Sequence, residues 1–265
     1  MFKTFFRGIA IGIANIIPGV SGGTIAVVLG IYDDLIESIG EFFLNKKKRK
    51  VYALFLVQIG LGALVGILLF ARVITFLLDQ YAQPTQFLFI GLIVGSIPVI
   101  YKMHPQMKVT GVKALGFLLG LSAMGLLAFY PEPQILHPTG GHLDVGRVGL
   151  FLFSGFIAAG AMVIPGISGS FIIIILGTYH AIVAAVSDFN FAVLGLVGIG
   201  AVAGILLLTK GIDFCLKKNP GVTYYVILGL VLGSVFKLWP AEAMTHFWLN
   251  VVALGAGYRI SGKLA

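Results

Sequence analysis

Charge is what this sequence has least of. Of its 265 residues only 11% are Asp, Glu, Lys or Arg, where soluble domains carry about a quarter. That shortage excludes an ordinary water-soluble globule. Cysteine is almost missing too: Cys215 stands alone, so an intrachain disulfide is excluded and a cysteine-based metal site lacks its ligands. The five histidines show no metal-ligand spacing, and neither metal nor cofactor is expected. Acidic residues number 10 against 18 basic ones, a net charge of +8. In a soluble protein that excess would suggest nucleic acid. In a chain this apolar it points to basic loops on the cytoplasmic face of a membrane, and no nucleic-acid partner is expected.

What is present is apolar. The chain is 58% hydrophobic with a mean hydropathy of +1.04. Runs at 51–78, 87–101, 114–130, 191–209, 222–236 and 247–258 read as membrane crossings, several shorter than the ~20 residues a perpendicular span needs. The 36 glycines suit close helix packing in lipid. The N-terminal stretch MFKTFFRGIAIGIANIIPG has the charge pattern of a signal peptide. It runs on into a repeated element, so it reads as part of the mature protein. The length suits one membrane domain without a soluble one.

Two stretches interrupt their own helices. Residues 12–36 read GIANIIPGVSGGTIAVVLGIYDDLI, and residues 159–183 read AGAMVIPGISGSFIIIILGTYHAIV. Pro18-Gly19 and Pro165-Gly166 stop a helix, because proline lacks the N–H and glycine is conformationally loose. In a bilayer such a break is costly unless protein or water satisfies the freed backbone. The two stretches align at an offset of 147, with Gly8, Ala14, Ile17, Pro18, Gly19, Ser21, Gly22, Ile25, Leu29, Gly30 and Tyr32 recurring. Downstream the offset becomes 138: Gly62, Gly66, Gly91 and Gly95 recur as Gly200, Gly204, Gly229 and Gly233. The first half thus carries nine extra residues, most simply around KKKRK at 46–50. The last apolar run of each half does not align convincingly.

If each broken segment returns to the side it entered, three crossings separate the two copies, and the second copy is upside down. The expected fold is therefore all-α and polytopic. One membrane domain over 1–265 holds repeat 1 (1–130) and repeat 2 (148–265). Each is a re-entrant, Pro-Gly-broken helical hairpin followed by about three transmembrane helices, in inverted topology. Placing KKKRK in the cytoplasm leaves 15 of 18 Lys and Arg on that side, with Arg147 and Lys237 outside and Arg72 within a span. That puts the N-terminus in the cytoplasm.

The breaks are candidate anion sites. Ser21 and Ser168 stand where they would N-cap a second half-helix, whose free N–H groups and positive dipole end attract an anion. Gly22 and Gly23 allow close approach to the backbone. Ser21, Thr24, Ser168 and Ser170 add hydroxyls and Asn15 an amide. The candidate substrate-binding set is Asn15, Pro18, Gly19, Ser21, Gly22, Gly23, Thr24, Arg72, Pro165, Gly166, Ser168, Gly169, Ser170 and Lys210. The plainer alternative is a tight turn at each hairpin tip. Arg72 and Lys210 are repeat equivalents near the ends of their apolar runs. They either snorkel to an interface or capture an anionic headgroup on each side. Asp33, Asp34 and Glu37 follow the first hairpin, His180 being the equivalent of Asp33. A coupling proton or plain interfacial solvation both fit them. No catalytic residue stands out.

IIPGVSGGTIAVVLGIYDDLI, with its second copy IPGISGSFIIIILGTY, resembles the PopT-type polyprenyl-phosphate (undecaprenyl-phosphate) transporter family over essentially the whole chain. The resemblance implies recycling of undecaprenyl phosphate across the bacterial cytoplasmic membrane, with a lipid-phosphate substrate and membrane lipid as partners. The family's hairpin motif falls on Pro18–Thr24 and Pro165–Ser170. The copies differ where Ser170 and Phe171 replace Gly23 and Thr24. Undecaprenyl-pyrophosphate phosphatases of the BacA type also use inverted hairpins, with Pro-Gly-x-Ser-Arg-Ser-Gly. Here the arginine position is Gly22, and no fixed charge or acid lies in either loop. Binding without chemistry is the simpler reading, and the chain is expected not to be an enzyme. A phosphatase-like enzyme and a small-anion carrier are the alternatives. Coupling ion, direction and oligomeric state are not legible, so a homo-oligomer stays open.

Overall fold

The computed structural model of the chain describes residues 2–17, 20–103, 107–129, 144–240 and 245–264. Among them are thirteen helices and no strand. The first half runs α1 (Phe2–Ile16), α2 (Gly22–Val28), α3 (Tyr32–Gly40), α4 (Arg49–Gln80), α5 (Ala82–Met103) and α6 (Gly111–Ala128). The second runs α7 (Val145–Val163), α8 (Gly169–Ile175), α9 (Tyr179–Ser187), α10 (Phe191–Lys218), α11 (Pro220–Gly233), α12 (Val235–Leu238) and α13 (Phe247–Leu264). The bounds of α8 and α9 are those of α2 and α3 moved by 147, and α4 and α10 end at positions 138 apart. Five helices or helix pairs, α4, α6, α7, α10 and α11–α12, are long and apolar enough to cross a membrane, as a multi-pass membrane protein requires.

The broken segments contain a stop that the hydropathy does not reveal. Instead of running on from Ser21 to Ile39, the helix ends again after seven residues. Gly30 (φ 64°) and Gly177 (φ 71°) adopt the left-handed conformation. There Ile31 N donates to Ala26 O and Gly30 N to Val27 O, while Thr178 N donates to Ile173 O and Gly177 N to Ile174 O. Both are Schellman closures, which glycine at the C′ position permits. At 1.5 Å per residue, α2 and α8 are only ~10 Å long, too short to cross a bilayer by themselves.

Packing is dictated by glycine. A Cβ on Gly62 would collide with the carbonyl of Phe5, and one on Gly66 with that of Ile9. The equivalent Gly200 and Gly204 bear on Leu152 and Phe156 in the same way. These contacts clamp α1 to α4 and α7 to α10, backbone against backbone. The remaining long helices exchange partners. α5 packs on α13 and α11 on α6, so each half supplies one helix to a pair completed by the other.

That exchange corrects the expectation that the last runs do not align. Gly91 meets Leu254 and Tyr258, and its equivalent Gly229 meets Phe117 and Leu121. Gly257 meets Leu88 and Leu92, as Gly120 meets Val226 and Leu230. α6 and α13 therefore correspond at an offset of 137. In sequence only Gly120/Gly257, Gly125/Gly262, Leu127/Leu264 and Ala128/Ala265 mark it. The principal apolar core includes Ala26, Val27 and Val28 of α2, Phe87, Ile90 and Ile93 of α5, on which α2 packs, and Ile227 and Val231 of α11.

Candidate functional site

The two breaks meet. α1 ends at Ile16, and Ser21 takes an extended backbone (φ −107°, ψ 147°) before α2. Its Oγ accepts the N–H of Thr24 at 3.1 Å, the N-cap bond that satisfies one free donor of the new helix. The same Oγ lies 2.9 Å from Thr24 Oγ1. Both oxygens accept the backbone N–H of Gly166, at 3.0 Å for Ser21 and 2.8 Å for Thr24. Gly166 belongs to the other break and sits at φ +90°, where a side chain would be strained and a Cβ would lie 2.7 Å from Leu230 O. A Cβ on Gly23 would stand 3.2 Å from Val163 O and 3.3 Å from Pro165 N. Tyr32 Oη donates to Val163 O at 3.1 Å. Hydroxyls of the first copy therefore bind the proline-glycine turn of the second.

The two copies are not equivalent. Ser21 and Thr24 are buried. Ser168 sits at the cap position of α8 without a side-chain cap bond, contrary to the cap expected there. Its Oγ instead pairs with Ser170 Oγ at 2.8 Å, a neighbour the first copy lacks because it has Gly23. Ser168 is half-buried and Ser170 exposed. Asn15 is exposed, its amide lying over Gly22, 3.0 Å from a Cβ built there. Its equivalent, Met162, covers Gly169 in the same way, so one tip is lined by an amide and the other by a thioether. Pro165 and Gly169 are buried. Pro18 and Gly19 lie outside the described residues.

Arg72 and Lys210 are not brought to this meeting point. α4 continues to Gln80 and α10 to Lys218, so each cation lies about two turns inside its helix, not near the end as its apolar run implies. The runs stop early because the last turns are polar, yet the helices go on. Both side chains are exposed, Arg72 among outward-facing Leu68, Leu69, Val73 and Phe76. Neither forms a hydrogen bond or ion pair with the breaks among the described residues.

The acidic group after the first break has partners that no local pattern announces. Asp33 accepts from Tyr224 Oη on α11. Glu37 accepts from Tyr52 Oη at 2.7 Å and Lys48 Nζ at 3.2 Å. Glu41 pairs with Lys217 at 3.1 Å, which also holds Asp213 at 2.6 Å. The Tyr52 hydroxyl, and after it Lys48, holds the Glu37 carboxyl below its ordinary range. Asp34 is shifted upward by burial, then by Asp33 and Glu37, with Arg7 of α1 opposing. α3 is thereby tied to α4, α10 and α11. No group of His, Cys, Asp or Glu suited to a metal ion exists among the described residues. His104, His137 and His142 lie outside them. Among the described residues the meeting point presents neutral hydroxyls, an amide and backbone groups, donors of the kind that suit an oxyanion, and no base or nucleophile-activating charge.

A family model described as undecaprenyl phosphate translocase-like matches residues 11–253. The chain is 34% identical over 259 residues to a polyprenyl-phosphate transporter of Vibrio cholerae, covering 94% of this chain and 80% of that protein. It is 32% identical over 268 residues to a polyprenyl-phosphate transporter of Staphylococcus aureus, covering 96% and 93%. No solved structure matches the chain.

Proposed function

The chain belongs to the undecaprenyl phosphate translocase-like family of transporters, and from that premise we propose that it moves undecaprenyl phosphate between the leaflets of the bacterial cytoplasmic membrane, returning the carrier lipid for reuse. The relatives are named as transporters, not enzymes, and the neutral character of the breaks agrees with binding without bond cleavage. The phosphate sits where the two breaks meet while the polyprenyl tail stays in lipid. The observation that carries this reading is the hydrogen bonding of Gly166 N–H by Ser21 and Thr24, which joins the two breaks at one place. Around it, Asn15, the backbone of Gly22 and Gly23, and the Ser168–Ser170 pair offer donors to a headgroup. Pro165, Gly166 and Gly169 shape the backbone of the second break. Arg72 and Lys210, on the outer faces of α4 and α10, attract the headgroup from the bilayer before it reaches the breaks.

The two halves are inverted repeats whose broken segments re-enter the membrane, with the N-terminus and the 46–50 loop in the cytoplasm. Rocking of one half against the other exposes the meeting point to each leaflet in turn. The binding part of this reading is tested with Ser170→Cys in a Cys215→Ser background in nanodiscs. Undecaprenyl phosphate should slow maleimide labelling of the thiol introduced at position 170, and undecaprenol should not. Inorganic phosphate that slows labelling equally well would make the substrate a small anion. Equal slowing by undecaprenol, or none by either lipid, would contradict a headgroup site.

A further inference from the structure

The two broken segments share their Pro-Gly-x-Ser-Gly motif and their helix bounds yet differ in how far they are covered. Every residue of α2 from Gly23 to Val28 is buried, Ala26 completely. In α8, Ile172–Ile175 are half-buried and Ser170 is exposed. α2 packs on α5 and α3 on α10. The counterpart pairs, α8 with α11 and α9 with α4, have marginal contact or none among the described residues. The molecule therefore has its first segment shut and its second segment open.

Besides the Ser21 and Thr24 bonds to Gly166, two cross-links accompany the shut segment, and each has a chemically competent counterpart that is not made among the described residues. Tyr32 Oη donates to Val163 O, one of the last-turn carbonyls of α7 that the helix cannot satisfy internally. Moved by 147, this pair becomes Tyr179 and the carbonyl of Ile16. Tyr179 is half-buried and makes only an edge contact with His180, without a hydrogen bond among the described residues. The second link is Tyr224 Oη to Asp33. Its counterpart is Gln86 with His180, again two side chains able to hydrogen-bond, with no bond between them among the described residues. The ion pairs of α3 behave differently. Glu41–Lys217 maps onto Asp188 and Asp79, two like charges, and Glu37 maps onto Ala184. The Ser21–Gly166 bond maps onto Ser168 and Gly19, of which Gly19 lies outside the described residues; of the links whose counterparts are described, the tyrosine and Asp33 links can be exchanged between the halves.

We propose that Tyr32 and Tyr179 are exchangeable positioning residues: Tyr32 holds the second break in the conformation described, and in the opposite conformation Tyr179 caps the carbonyl of Ile16 while Gln86 binds His180. The inference rests on the two-conformation reading given above. It assigns each conformation a latch from the half whose break is shut. Tyr32 acts through the Val163 carbonyl and not on the phosphate itself, so its removal changes which break is open.

The test is site-directed alkylation in nanodiscs, in the Cys215→Ser background. Ser170→Cys reports the open segment and Ala26→Cys the shut one. Tyr32→Phe should lower the N-ethylmaleimide labelling rate at position 170 and raise that at position 26 by about two- to tenfold, the worth of one hydrogen bond. Tyr179→Phe and Gln86→Leu should do the reverse, and the double variant Tyr32→Phe/Tyr179→Phe should return both rates toward the parent. Shifts of one sign for Tyr32→Phe and Tyr179→Phe, or no shift in variants that elute as monodisperse protein, would overturn the proposal. Lipid movement is read separately. Reciprocal shifts without translocation would remove the lipid function and keep the latch, and translocation without reciprocal shifts would remove the latch alone.

Discussion

Ser21 carries two tasks at one oxygen, capping α2 and holding Gly166 of the opposite break. Ser21→Ala removes a cap and leaves the buried Gly166 N–H with Thr24 as its one acceptor among the described residues. It should cost about 1–2 kcal/mol of stability, read as a lowered melting temperature in detergent. Ser168→Ala should cost much less, since Ser168 forms no cap bond. Equal losses would contradict the asymmetry of the two breaks. Glu37 gives a pH-dependent counterpart. Its folded pKa is depressed, so its contribution is complete above the ordinary glutamate range and fades as pH falls through the folded value. Glu37→Gln should lower stability at neutral pH and flatten the acid side of the stability profile, the two profiles converging as pH falls below the folded value; an unchanged acid limb would show that the Tyr52 and Lys48 bonds contribute nothing. The sequence announces Ser21 through Pro-Gly-x-Ser, a local signal. It does not announce Tyr32–Val163 or Asp33–Tyr224, whose partners lie 131 and 191 residues away, and no periodicity encodes such pairs.

At the scale of elements, glycine decides which helices touch. Gly204 lies against the backbone of Phe156, whereas Gly60 has open space where a Cβ would go. Gly204→Ala should therefore destabilise by about 1–3 kcal/mol through forced separation of α7 and α10. Gly60→Ala should be neutral or stabilising by up to about 1 kcal/mol, as alanine favours the helix. Thermal unfolding of the two variants checks this, and similar effects would contradict the clamp. The glycine ladders of the first four packing helices are legible because they recur with constant spacing. The stops at Gly30 and Gly177 are not, since the residues before them are as apolar as any helix and only the left-handed φ reveals the end. The exchange of α5 and α11 between the halves is equally hidden, because a glycine ladder names a contact face but not its partner.

At the scale of the whole molecule, the chain is a multi-pass membrane protein of a transporter family, and the proposed orientation follows from where its cations fall. Cysteine introduced at Lys47 should be shielded from an impermeant reagent added to intact cells, and cysteine at His137 should react. The reverse would turn the molecule over. Composition made the membrane legible and the paired Pro-Gly motifs made the centre legible. The unequal covering of the two breaks was beyond reach, because two copies of one motif adopt different surroundings in one conformation.

The most direct measurement is headgroup accessibility of undecaprenyl phosphate in proteoliposomes containing the purified, folded protein. The account predicts that the lipid phosphate on the inner leaflet becomes accessible to an external phosphate-binding probe far faster than in protein-free vesicles, and that Ser21→Ala slows it. Equal rates with and without the protein would contradict it.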